Sequence, residues 1–239
     1  MEKIILTYKP RGRTSYQMVE KYKRRYPGEK VGHAGTLDPL AEGLLIVLVG
    51  RATKKQSQFM ELEKEYLVEV VFGLITPTWD LEGSLSLYPV EDLSERLISL
   101  TKEELERELK KFSGQIEQIV PAFSAVKVGG KRLYQLARRG EIEIKDLPKK
   151  KVDIYQIELI DFWPAQFSSQ EKLTPKLVLQ SGPRARMRMR VGKGTYVRSI
   201  IYQLGENLGV GATTTRLIRT RIGSFRLDPK TPPGTNEDR

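Results

Sequence analysis

The chain has 239 residues, with 41 Lys and Arg against 30 Asp and Glu, one His and no Cys, for a formal charge of +11. Without cysteine, structural disulfides, thiolate metal sites and a cysteine nucleophile are excluded, and the cationic excess favours a polyanionic partner. The longest uncharged apolar stretch, Leu44 to Gly50, is too short to span a bilayer and the N-terminal apolar run is too short for a signal peptide, which predicts a cytoplasmic protein that does not enter the membrane.

In chain order, Lys3 to Tyr8 reads as a short strand. A helix is predicted from Thr14, where Thr14 and Gln17 have the spacing of a capping box, and it ends before Pro27-Gly28. Gly32 to Gly43 carries three Gly and one Pro and reads as a loop. Leu44 to Val49 is an unbroken apolar run, the pattern of a buried strand. A helix over about Ala52 to Leu62 and a strand over Tyr66 to Leu74 follow. Thr101-Lys-Glu-Glu104 opens a further helix, with Leu105, Leu109 and Phe112 as its i, i+4, i+7 stripe. Gly114 to Lys151 reads as a long basic excursion with a short helix near Leu133 to Arg138. Lys151 to Trp163 and Lys176 to Gln180 read as strands. Thr195 to Leu208 is an amphipathic helix, with Gly209 where a left-handed cap is wanted. Arg219 to Leu227 reads as a last strand.

Strands and helices interleave without a βαβ rhythm. That predicts an α+β fold around a mostly antiparallel or mixed sheet flanked by helices. One domain is expected over residues 1–230, with a basic insertion at about 121–151 and a flexible tail at 231–239.

The positive charge is clustered. From Lys127 to Lys151 there are nine Lys and Arg and three acids. In a strand, Arg184-Ala-Arg-Met-Arg-Met-Arg190 puts four guanidinium groups on one face. A row of like charges repels itself, which favours a phosphate partner over a merely solvated face.

The most unusual local text is Gly32 to Pro39, Gly-His-Ala-Gly-Thr-Leu-Asp-Pro. It holds the only His of the chain, and Pro39 biases Asp38 away from helical geometry. A carboxylate on a loop beside a buried strand suits a nucleophile or a base. The same text also suits an Asp that caps a turn and a packed polar His. Other chemistries find little support. One His leaves no ordinary zinc site, no Gly-x-Ser-x-Gly elbow is present, and Gly129-Gly-Lys131 lacks the Walker spacing. A reaction with one key carboxylate and no cofactor remains.

Several blocks together resemble the TruB family of tRNA pseudouridine synthases. They are Lys9-Pro-x-Gly-x-Thr-Ser15, Gly32-His-Ala-Gly-Thr-Leu-Asp-Pro-Leu-Ala-x-Gly43, Gly50-x-Ala-Thr-Lys54 and Lys64-x-Tyr66, then Gly73 to Gly83. Pro121-Ala-Phe-Ser-Ala-Val-Lys127, Gly192-Lys-Gly-Thr-Tyr-Val-Arg198 and Leu217-x-Arg-Thr-x-x-Gly-x-Phe225 complete the set, in family order over almost the whole chain.

The resemblance implies the pseudouridine-synthase fold with a catalytic cleft between two lobes. It implies a reaction in which uracil leaves its ribose at N1 and rejoins through C5, at uridine 55 in the T-loop of tRNA. No atoms are gained or lost, so neither cofactor nor metal is required. Asp38 takes the place of the catalytic aspartate, Arg198 that of the arginine paired with it, and Tyr66 that of the tyrosine packed on the target base. Tyr196 and Leu217 match pocket-lining positions, and His33 matches the residue that fills the space left by the flipped nucleotide. Asp80 supports the arginine, and Lys9 is expected among the substrate contacts. Read alone, Arg198 is a helix-face cation, and Tyr66, Tyr196 and Leu217 are core.

The segment 121–151 matches the family's RNA clamp, expected to be mobile until RNA binds. The implied partner is the tRNA T-arm, with no obligate protein partner and a monomeric chain. Pro77 stands where the family usually has an acid, and Gly192 where Ser or Cys is common. Many relatives carry a further RNA-binding domain after the Phe225 block, so here the grip on RNA is expected to rest on the catalytic domain. The competing expectation is a non-catalytic RNA-binding protein or tRNA chaperone on the same scaffold. Retention of Asp38, Tyr66 and Arg198 together argues against it, because binding alone needs none of that set.

Overall fold

The computed structural model describes residues 1–227. The tail expected at 231–239 lies outside them. In chain order the elements are β1 (Glu2–Lys9), α1 (Ser15–Arg25), β2 (Val31–Ala34), β3 (Glu42–Gly50), α2 (Gln56–Glu61), β4 (Lys64–Phe72), β5 (Leu74–Ile75) and β6 (Ser86–Leu87). Then come α3 (Leu93–Ser99), α4 (Lys102–Lys110), β7 (Gly114–Ile119), β8 (Lys127–Val128), β9 (Lys131–Arg132) and α5 (Leu133–Arg138). The last are β10 (Lys149–Trp163), α6 (Pro175–Ser181), β11 (Arg184–Val191), α7 (Val197–Leu208), β12 (Ala212–Ile222) and β13 (Phe225–Arg226). The main sheet has nine strands in the order β1-β3-β12-β4-β11-β10-β7, with β2 on β3 and β13 on β12. Its β3–β12 pair is parallel and its β1–β3, β2–β3 and β7–β10 pairs are antiparallel, so the fold is α+β around a mixed sheet. No helix among the described residues is long and apolar enough to cross a membrane.

The chain forms two compact units. The first holds Met1–Leu67, Met189–Lys193 and the segment from Arg216, and the second holds Val68–Arg188 and Gly194–Thr215. In the first unit, β1 pairs with β3 over its whole length, from Glu2 opposite Gly50 to Lys9 opposite Gly43. The unbroken apolar run of β3 has a simple cause: its two faces feed two cores. Leu45, Val47 and Val49 pack with Met18, Val19 and Tyr22 of α1. Leu44, Ile46 and Leu48 pack with Ala34, Ala52, Phe59 and Ile222. The helix α1 starts at the predicted cap: Gln17 N donates to Thr14 Oγ1 at 3.1 Å and Thr14 N to Gln17 Oε1 at 2.8 Å.

In the second unit, β7 pairs with β10 from Gly114 opposite Ile154 to Ile119 opposite Lys149. Trp79, Val120, Leu133 and Leu147 form a core that anchors the basic segment, and Trp79 stacks on Tyr202 with ring centres 4.4 Å apart. The helix α7 ends at Gly209, whose φ of 66° is the left-handed cap its position predicts.

Four local expectations change. The Lys176 to Gln180 run is helical, in α6, because Thr174 Oγ1 accepts from Leu177 N at 3.1 Å and Pro175 occupies the first turn. The Gly32 to Gly43 segment begins as a strand, since β2 finds a partner in β3. The basic excursion, for which only a short helix is expected, opens with a strand, β7. The arginine row of β11 is not a bare cationic face. Arg186 pairs with Glu69 and Asp161, Arg188 with Glu158 and Arg190 with Glu63, while Arg184 donates to the carbonyls of Leu179 and Gln180. Neighbouring carboxylates relieve the repulsion that had pointed to phosphate.

Candidate active site

The Asp38 loop is fixed from three directions within the first unit. From β12, Arg219 lies beneath it, 1% exposed. Its guanidinium donates to Leu44 O at 2.8 Å, Gly35 O at 2.9 Å and Thr36 O at 3.4 Å. From α1, Ser15 Oγ accepts from Leu37 N at 2.9 Å and donates to Leu37 O at 3.1 Å. From the end of β1, fully buried Lys9 directs its ammonium to Pro39 O at 3.3 Å, Pro10 O at 3.1 Å and Arg13 O at 2.5 Å. Gly12 N adds a bond to Pro39 O at 2.8 Å, and Ala41 N closes a turn on Asp38 O at 3.1 Å. Leu37 and Pro39, the neighbours of Asp38, are therefore both held through their main chains. A half-buried carboxylate is presented with little freedom, which suits either a nucleophile or a base.

Tyr66 and Leu217 are buried in β4 and β12, at 8% and 5% exposure. His33 lies on β2 opposite Val47, and its carbonyl accepts from Gln56 Nε2 at 2.7 Å. Burial, and then the charge of Arg219, holds the imidazole pKa below its ordinary value, which favours the neutral form of His33. Its Nδ1 is buried without a hydrogen-bond partner among the described residues. Lys64, also buried, donates to Met60 O and Leu62 O at 2.5 Å each. Burial first and Arg219 second bring its pKa down to about 8.

In the second unit, Arg198 and Asp80 meet at 3.3 Å. Arg198 also donates to Thr78 O at 2.6 Å and Phe123 O at 3.4 Å. Asp80 accepts from Thr78 Oγ1 at 2.6 Å and Glu82 N at 3.0 Å. Thr76 Oγ1 holds the Asp80 carbonyl at 2.8 Å, and Asp80 bridges to Thr214 of β12. Trp79, just before it, has a φ of 61°, a left-handed conformation rare for an aromatic residue. Its carbonyl accepts from Thr214 N at 3.2 Å, and its ring is pinned by Tyr202. Tyr196 exchanges two bonds with Gln118, from Tyr196 N to Oε1 at 2.8 Å and from Nε2 to Tyr196 O at 3.0 Å. Lys150 lies over its ring, 4.1 Å from the centre.

Asp38, His33, Lys9, Tyr66 and Leu217 thus belong to the first unit, and Asp80, Arg198 and Tyr196 to the second. A cavity of about 300 Å³ lined by Glu69, Trp163, Gln180, Arg184 and Arg186 contains none of them. Sequence reasoning gave no role to Ser15, Arg219 or Gln118. Ser15 and Arg219 do stand in the Lys9 to Ser15 and Leu217 to Phe225 blocks, the available signal for both.

A family model described as TruB family pseudouridylate synthase (N terminal domain) matches residues 23–197. A protein named tRNA pseudouridine synthase B from Fusobacterium nucleatum is 39% identical over 228 residues, 95% of this chain and 70% of its own length. One of the same name from Bacteroides fragilis is 41% identical over 224 residues, 93% of this chain and 83% of its own. The fold also matches a chain solved as a Cbf5-Nop10-Gar1 complex, with a TM-score of 0.63 and 28% identity over 94% of this chain. This chain spans 50% of that one.

Proposed function

The chain belongs to the TruB family of pseudouridylate synthases, which are isomerases, and from that premise we propose that it converts uridine 55 in the T-loop of tRNA to pseudouridine with Asp38 as its catalytic carboxylate. The N1–C1′ bond breaks and a C5–C1′ bond forms. The proton lost at C5 balances the one gained at N1. Whether Asp38 attacks the sugar, attacks the base or removes a ribose proton, each route needs an ionised carboxylate in a fixed place. The supporting observation is the loop itself, pinned through Leu37 and Pro39 on either side of Asp38.

Tyr66 offers the base a stacking face and a hydroxyl for proton movement at C5, and Leu217 supplies apolar wall. A neutral His33 fills the gap left by the extruded nucleotide without a charge to desolvate, offsetting part of an unstacking cost of about a few kcal/mol. Arg198, oriented through Asp80, takes the arginine's catalytic role, and Tyr196 joins the pocket lining. Lys9 is assigned to positioning the loop, because its ammonium is directed at main-chain carbonyls. The reaction proceeds in the cytoplasm on the tRNA T-arm without an obligate protein partner.

The test is to incubate the protein with unmodified tRNA and map pseudouridine, beside an Asp38→Asn variant. The expected result is product at uridine 55 from the parent protein alone, with both binding tRNA. Equal product from both would overturn the role of Asp38. Binding without product from the parent would point instead to an RNA-binding protein.

A further inference from the structure

Residues 11–30 carry seven Lys and Arg against two Glu. They span α1 and its flanking turns. In the other basic stretch, 127–151, several cations have carboxylate partners: Lys131 and Arg139 on Glu141, Lys145 on Glu143 and Lys149 on Glu117. The α1 face differs. Met18, Val19 and Tyr22 are buried, while Arg13, Tyr16, Lys23 and Arg24 are exposed. Among the described residues, Arg13, Lys23 and Arg24 form no ion pair. Lys23 rests its ammonium 5.6 Å from the centre of the Tyr16 ring.

The helix dipole accounts for only part of this. Cations in the last turn, Lys23 to Arg25, are favoured there by about 0.3–1 kcal/mol each. Arg11 and Arg13 precede the N-terminus, where the dipole disfavours them, and no acid stands in the first turn. A polyanion along the face accounts for both ends. The N-terminal end of this face adjoins the Asp38 loop, through Gly12 N on Pro39 O and Ser15 Oγ on Leu37. From there α1 runs its 11 residues, roughly 16 Å at 1.5 Å per residue.

We propose that the exposed face of α1, through Arg13, Lys23 and Arg24, is a track for the phosphodiester backbone of the tRNA next to its target nucleotide. The ligand class is phosphate of an RNA chain, contacted without regard to base identity. This rests on the reading of the chain as a tRNA isomerase and adds to it a surface outside the uridine site.

The test is a triple variant, Arg13→Gln, Lys23→Gln and Arg24→Gln, beside a control that removes the same charge from Lys110, Lys172 and Lys176. Thermal melts first establish that both are folded. Affinity for unmodified tRNA is measured across salt concentrations, and turnover across tRNA concentrations. The α1 variant is expected to raise KM about tenfold and flatten the log K against log salt slope by about 2, since each lost phosphate contact removes about 0.7–0.9. The loss is confined to KM, and the control moves neither quantity. An unchanged slope and KM in the α1 variant, or an equal change in the control, would overturn the proposal. If the parent protein binds tRNA yet makes no pseudouridine, the functional reading fails while the salt slopes still decide the role of α1.

Discussion

The guanidinium of Arg198 lies 3.3 Å from the carboxylate of Asp80, with the two side chains only 4% and 2% exposed. Taking two charges out of water is costly, and here the cost is offset by main-chain carbonyls on the arginine and by Thr78 and Glu82 N on the aspartate. Removing one partner leaves the other charge buried. Asp80→Ala is therefore expected to lose about 3–5 kcal/mol of unfolding free energy. Arg198→Lys should not rescue the site, because an ammonium lacks the planar fork that serves Asp80, Thr78 O and Phe123 O together. Urea titration of both variants checks this; a loss below about 1 kcal/mol for Asp80→Ala would mean that solvent reaches the pair.

Arg219 supports the Asp38 loop through the carbonyls of Gly35 and Thr36 and is itself anchored on Leu44 O of β3. In Arg219→Met those acceptors lose their donor at a cost of about 1–3 kcal/mol for each one left buried. Turnover is predicted to fall further than the folded fraction does, because the loop also loses its registration. Parallel measurement of melting and kcat separates the two effects. Proportional losses would reduce Arg219 to a purely structural residue.

Gly43 has a φ of 106°, and a Cβ there would sit 2.3 Å from the carbonyl oxygen of Arg219. The close approach comes from the parallel pairing of β3 with β12, where Gly43 stands opposite Arg219. Gly12 also has a positive φ, 81°, but nothing lies within 4 Å of its missing Cβ. Gly12→Ala should cost about 1–2 kcal/mol of backbone strain. Gly43→Ala adds a main-chain clash and should lose several kcal/mol more, or fail to fold. Comparable melting temperatures for the two variants would contradict the asymmetry.

Lys64 gives a signature at alkaline pH. Its folded pKa is about 8 against an ordinary 10.5. Between those values the unfolded chain holds a proton that the folded chain has released, so this group makes stability rise with pH across that window. Below about 8 the ammonium is charged in both states and its burial penalty is fully present. Lys64→Met removes the group, and with it that component of the slope. Denaturant unfolding of parent and variant at pH 7.5, 9 and 10 should show the parent gaining on the variant; parallel curves would refute it.

What the sequence disclosed depended on whether a signal was local. The cap at Thr14, the apolar run of β3 and the glycine after α7 each lie within a few residues of what they determine. The α6 run was misread because a few apolar residues fit either period, and the deciding feature was the Thr174-Pro175 start. The acids that match the β11 arginines, such as Glu69 and Glu158, are brought beside them only by the fold. Asp38 stood out because its surrounding text is odd. Arg219 did not, because a strand arginine reads as exposed until the fold sets three carbonyls around it.

Arg219, Lys9 and Ser15 take hold of the Asp38 loop largely by its main-chain oxygens, which every residue type possesses. Its shape is thereby uncoupled from most of the side chains it displays. Exposed Thr36, held among the described residues only at its carbonyl by Arg219, is free to vary at little structural cost. Substrate preference can then be tuned at such positions by single exchanges that leave the carboxylate where it is, and a Thr36 library with unchanged melting temperatures would display that latitude.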